Sequence, residues 1–150
     1  MDVLFRKVRP GNLVDEGIAA VTGGIYAHVA VLIPDGRVFS SESPDGVDLT
    51  TIVLPDPMWD VVEVDLPWTD ALVSWCKFQL GMEYDYVGAL SSGEGRGLAD
   101  LDKWFCSRIV SAVLLRAGMV NIPPLMAPSG RKHRIGLYEW LIANNSSKKE

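Results

Sequence analysis

The spacing of apolar residues changes period partway along the chain. Tyr26-Ala27-His28-Val29-Ala30-Val31-Leu32-Ile33 is apolar, rich in β-branched residues and closed by Pro34-Asp35-Gly36, a strong turn signal. This predicts a strand over 26–33 and its hairpin return over 37–43. Further strands are predicted over 48–54, stopped by Pro55-Asp56-Pro57, and over 59–66, where apolar and polar residues alternate. After Pro67 the pattern becomes helical. Thr69 is the expected N-cap of a helix reaching Leu80, with Leu72, Trp75, Cys76, Phe78 and Leu80 on one broad face and Gly81 ending it. A second helix is expected over 101–117, ended by Gly118, and a last one over 135–143. Ahead of the strands, Pro10-Gly11-Asn12 reads as a turn and 14–21 as a short helix broken by Thr22-Gly23-Gly24. Residues 91–97 read as a flexible loop, and Pro123, Pro124 and Pro128 mark an irregular stretch. The expected organisation is a single α+β domain over 1–143 and a polar tail over 144–150.

Composition narrows the function classes. A chain of 150 residues can bury a real core, and its 48% hydrophobic and 22% charged content is that of a globular protein. The net charge of −5 argues against a general nucleic-acid-binding surface. The basic cluster Arg131-Lys132-His133-Arg134 reads as a solvated turn. Cys76 and Cys106 make no disulfide framework, and no CxxC or HxxxH spacing signals a metal. No cofactor is implied. No run of about 18 apolar residues predicts a membrane span. Residues 1–7 lack an apolar signal core, so the expected location is cytoplasmic, or that of a phage-associated or other component exported without a signal peptide.

One pairing carries chemistry. Cys106 falls at the entrance of the second helix, where the helix dipole and unpaired N–H groups favour thiolate. His28, in the first strand of the hairpin, can supply the base of a nucleophile–base pair. In a three-residue loop with Gly36 left-handed, Ile33 pairs with Arg37. Counting outward sets His28 opposite Glu42, on the same face. The carboxylate could then hold one imidazole nitrogen and leave the other for the thiol. The plain alternatives are a buried core cysteine and a surface His–Glu pair worth under about 1 kcal/mol. A zinc site on Cys106 and His28 lacks further ligands. A tyrosine in Leu80-Gly81-Met82-Glu83-Tyr84-Asp85-Tyr86 could donate to an oxyanion or simply pack. Trp104 is close enough in sequence to line a pocket beside Cys106. The glycine-rich stretch 93–97 lacks the Lys-Ser/Thr of a phosphate loop, which leaves a lid over 87–103 or a plain connector. Cys76 reads as structural and His133 as solvated.

These segments together resemble the NlpC/P60 superfamily of papain-like cysteine hydrolases. They are most similar to its circularly permuted branch, the YiiX/YebB-like and lecithin retinol acyltransferase-like proteins, in which the histidine precedes the cysteine. Pro10-Gly11-Asn12-Leu13-Val14 stands where the family opens with a Pro-Gly-Asp strand. Tyr26-Ala27-His28-Val29-Ala30, Leu80-Gly81-Met82-Glu83-Tyr84-Asp85 and Phe105-Cys106-Ser107-Arg108-Ile109-Val110 resemble its later motifs. The resemblance covers residues 10 to 118. It implies an antiparallel sheet of four to six strands packed against the Cys106 helix. It also implies Cys106 as nucleophile, His28 as base, Glu42 as the orienting third residue, and Tyr84 with the Cys106 N–H at the oxyanion. Trp104 and Ser107 complete the candidate substrate-binding set. Asn12, Ala27 and Arg108 depart from the family pattern.

The activity implied is a thiol hydrolase or acyltransferase that works through an acyl-enzyme. Its substrate would be a small peptide, a peptidoglycan fragment or a lipid-type amide or ester. The acidic chain argues against lysis of anionic walls. The alternative is a non-catalytic assembly domain, such as a virion or accessory component, that keeps the papain-like fold.

Overall fold

The strand that alternation does not announce is the one that anchors the sheet. Asp2–Lys7 forms β1, hydrogen-bonded on both sides, and Val3, Leu4 and Phe5 within it are wholly buried. A strand covered on both faces is apolar throughout and has no period of two to read. The computed structural model describes residues 1–85, 105–123, 126–130 and 135–146. Over these, β1 is followed by α1 (Leu13–Thr22), β2 (Tyr26–Leu32), β3 (Val38–Glu42), β4 (Gly46–Thr50) and β5 (Trp59–Glu63). Then come α2 (Asp70–Phe78), α3 (Cys106–Arg116) and α4 (Leu137–Ser146). The five strands make one sheet in the order β4-β3-β2-β1-β5, with every neighbouring pair antiparallel. The protein is therefore α+β. No helix among the described residues is long and apolar enough to cross a membrane.

The two faces of the sheet differ. One carries Val3, Phe5, Val29, Val31, Phe39 and Val47, which pack against Ile109, Val110, Val113 and Leu114 of α3 and Leu137 and Leu141 of α4. The other carries a smaller cluster, Leu4, Ala30 and Val38, flanked by Leu32, Ile52 and Trp59. Arg6 pairs with His28 in the register that sets Leu4 against Ala30. Arg6 and His28 thus project on this second face.

Local chemistry explains the helix boundaries. The amide oxygen of Asn12 accepts the Asp15 N–H at 3.0 Å, and Gly23 closes α1 with a φ of 69°. Pro10–Val14, where the resemblance implies an opening strand, is thus a turn and a helix start. Thr69 caps α2 through the Leu72 N–H. The buried positions of α2 are Leu72 and Cys76, with Trp75 half-buried and the C-cap Gln79 also buried, whereas Phe78 is 79% exposed and Leu80, past the helix, 38% exposed. The face expected from sequence is too broad: 100° per residue places Phe78 away from the Leu72–Cys76 stripe, and Leu80 lies past the end of the helix. α4 continues through Ser146, three residues beyond the expected end.

β4 also docks the segment that follows α2. Val47 N–H donates to Met82 O, and Gly81 N–H donates to Val47 O, both at 2.9 Å. Gly46, with a φ of 77°, lies so close that a Cβ there would collide with the Met82 carbonyl. Gly46→Ala is expected to lower stability by about 1–3 kcal/mol from backbone strain alone, read as a fall in the denaturant midpoint. A midpoint equal to wild type would show that Gly46 is not needed for this approach.

Candidate active site

The hairpin sets the site's geometry. Ile33 N–H donates to Arg37 O at 2.9 Å, and Gly36 turns the chain with a φ of 90°. The β2–β3 ladder pairs Leu32 with Val38 and Val31 with Phe39. The β2–β3 pairing stops there, and the backbone N–H groups of Val29 and of Ser107, in the first turn of α3, favour the thiolate form of Cys106. Cys106 packs beside Val29 in the cluster on the first face, whereas His28, the next residue along β2, projects on the second. The N-cap Phe105 has no side-chain acceptor to offer, so the first-turn N–H groups of α3 remain available.

His28 is 4% exposed. Its Nε2 lies 3.0 Å from Ser40 Oγ and 3.7 Å from Glu42 Oε2, with the Trp59 ring edge-on at 5.9 Å. Among the described residues, the partner within hydrogen-bonding distance of this imidazole is Ser40. A direct thiol–imidazole hydrogen bond is not among its contacts.

Around the imidazole runs an ionic network for which the sequence offers no local signal. Arg6 is 6% exposed. Its two terminal nitrogens reach Glu42 Oε1 at 2.7 Å and Asp15 Oδ1 at 3.2 Å. Arg9 grips Asp15 with Nε at 2.8 Å and NH2 at 3.1 Å, and meets Glu42 Oε1 at 3.0 Å. Two guanidiniums thus balance two carboxylates. Glu42 Oε1 serves both arginines, and Oε2 is the oxygen nearest His28.

Burial decides the protonation states. It pushes the Cys106 thiol up to about 11, more than the Val29 and Ser107 N–H groups draw it down. It pulls the His28 imidazole down to about 4, with Glu42 opposing. The expectation that the helix start favours thiolate is overturned, because desolvation outweighs the N-terminal field. Moving a proton from a thiol near 11 to an imidazole near 4 costs roughly 10 kcal/mol before the new charges attract. Attraction at contact returns about 4 kcal/mol at an effective dielectric of 20. The resting pair is neutral. Burial also works to raise Asp15 and Glu42; the Arg9 hydrogen bonds and then the Arg6 and Arg9 charges outweigh it at Asp15, and His28, followed by Arg6 and Arg9, outweighs it at Glu42, so both lie below the usual carboxylate range.

The remaining candidates have distinct settings. Tyr84, fixed by the docking of 81–82 on β4, is buried and lines a cavity of about 10 Å³ together with Arg6, His28 and Glu42. Ser107 is fully buried, and its hydroxyl donates to Met126 O at 2.5 Å, which makes it a brace for α3 rather than a substrate contact. Trp104, the 87–103 loop, the 91–97 stretch and the 131–134 cluster lie outside the described residues. Cys76 is buried in α2, and burial pushes its thiol up to about 12. Arg6, Arg9, Asp15 and Ser40 were not singled out from sequence. The chain matches no protein-family model, and no curated protein matches it.

Two outcomes follow from the network and its buried base. Asp15→Ala leaves Arg6 short of a carboxylate and is expected to cost about 3–5 kcal/mol in a denaturant titration; a cost under about 1 kcal/mol would show the network to be incidental. An imidazole whose pKa falls from 6.5 to about 4 on folding binds its proton first in the unfolded chain. Its contribution is therefore complete above pH 6.5 and is lost as pH falls towards 4. Asp15 and Glu42 act at lower pH. His28→Gln should flatten the pH dependence of stability in that upper window, and an unchanged slope would contradict the assignment.

Proposed function

We propose that the protein is a thiol hydrolase that cleaves an amide or ester through an acyl-enzyme on Cys106. The observation that carries this reading is the placement of the Cys106 thiol at the N-terminus of α3, where the backbone N–H groups of Val29 and Ser107 favour its thiolate form, with His28 the chain neighbour of Val29. With a proton on His28 Nε2, Nδ1 is the free base. As the thiol attacks the substrate carbonyl, its proton passes to Nδ1, a C–S bond forms and the oxygen becomes anionic. The Cys106 N–H and Tyr84 hydroxyl are the candidate donors to that oxygen. Collapse expels the amine or alcohol, which takes the proton from His28. Water then attacks the thioester with His28 again as base, releasing acid and free thiol. Glu42 supports the imidazolium that forms in each half. Because the resting pair is neutral, deprotonation belongs to the attack step rather than to the free enzyme. Small peptide amides and lipid-type amides or esters are the substrate classes proposed, on a fold read as the permuted papain-like type.

A second reading, an assembly domain that retains the fold without catalysis, is favoured by the small cavity beside His28, about 10 Å³, room for about one water.

Intact-mass analysis after p-nitrophenyl acetate treatment separates the two. A catalytic site predicts one acetyl group, mapped to Cys106 and not Cys76, with His28→Ala slowing its formation about 100-fold or more. Equal labelling of both cysteines, or no effect of His28→Ala, would support the assembly reading.

A further inference from the structure

The group closest to the base is not its carboxylate. Ser40 Oγ stands 3.0 Å from His28 Nε2, whereas Glu42 Oε2 is 3.7 Å away. Glu42 is also engaged elsewhere, with Oε1 between the guanidiniums of Arg6 and Arg9. A serine hydroxyl can donate to an imidazole nitrogen or accept from it. The direction matters, because it fixes which ring nitrogen keeps a lone pair. If Ser40 donated, Nε2 would carry the lone pair, facing a carboxylate, and Nδ1 would be protonated and unable to act as base. If Ser40 accepts, Nε2–H points at both the hydroxyl oxygen and the Glu42 carboxylate, and Nδ1 is left free.

Charge selects the second arrangement. A lone pair directed at an anion 3.7 Å away is repelled, whereas an N–H there is attracted, and the buried setting strengthens the difference. Parity supplies the geometry. Ser40 and Glu42 are two apart on β3 and so share the face that His28 and Arg6 occupy.

We propose that Ser40 is the positioning residue of the site: it accepts the Nε2–H of His28, and so holds the imidazole in the tautomer whose Nδ1 can take the thiol proton. This rests on the reading of Cys106 and His28 as nucleophile and base. Glu42 sets the sign of the hydrogen bond and Ser40 makes it.

The test is a long-range proton–nitrogen NMR correlation on the full chain with ¹⁵N-labelled histidine, at neutral pH. The His28 signals are identified by their loss in His28→Gln. Wild type should show the Nε2–H tautomer. Ser40→Ala should raise the share of Nδ1–H about fivefold to tenfold, the worth of one hydrogen bond, and slow acetylation of Cys106 by a similar factor. Ser40→Thr, which keeps the hydroxyl, should retain the wild-type tautomer. An Nδ1–H tautomer in wild type would overturn the proposal even if Ser40→Ala failed to fold, and so would an unchanged ratio in a folded Ser40→Ala. Failure of Cys106 to acetylate in wild type would instead remove the hydrolase reading, and Ser40's catalytic role with it, while leaving the direction of the hydrogen bond established. The two failures are thus told apart.

Discussion

Arg6 is the group on which the site depends. It is a buried cation on β1, and it reaches Asp15 on α1 and Glu42 on β3. The three elements meet around β2, which carries His28. A buried guanidinium is tolerated only with its charge paired; both terminal nitrogens are paired while Nε is buried without a partner among the described residues, so the positions of α1 and of the end of β3 are tied to it. Arg9 completes the exchange from the more exposed side, at 39% side-chain exposure. The network fixes the carboxylate beside the histidine and leaves its second oxygen facing the imidazole. Within the network, two guanidiniums face two carboxylates.

That balance bears directly on chemistry. If the network had left an unpaired carboxylate, His28 would gain a proton readily and a thiolate–imidazolium pair could form in the free protein. The Cys106 thiol and the His28 imidazole are both desolvated, which favours the neutral form of each. Under the proposed hydrolase reading, catalysis would follow general-base logic, in which the substrate carbonyl accepts the electrons as the thiol gives up its proton.

Some of this was legible in the residues. Pro34-Asp35-Gly36 announces the hairpin, and the period of two then dictates that His28 and Glu42 share a face. Thr69 and Gly118 mark helix ends by chemistry that acts within a few residues. Cys106 at the head of an apolar helical pattern was equally readable. β1 was not, because Val3, Leu4 and Phe5 are covered on both faces and show no alternation. Arg6, between Phe5 and Lys7 and close to Arg9, looks in sequence like part of a solvated basic patch. Its role comes from partners 9 and 36 residues away. The protonation states were misread for the same reason: a helix start is local and favours thiolate, whereas desolvation depends on the whole fold. Asn12, a departure from the motif it resembles, is explained locally as the N-cap of α1.

The most direct measurement is the thiolate absorbance of wild type minus Cys106→Ala, followed from about pH 5 to about pH 12. A neutral, buried pair predicts that the difference signal is absent at neutral pH and rises only as pH approaches 11. A thiolate signal already present near pH 6 would contradict it and show a preformed ion pair with His28.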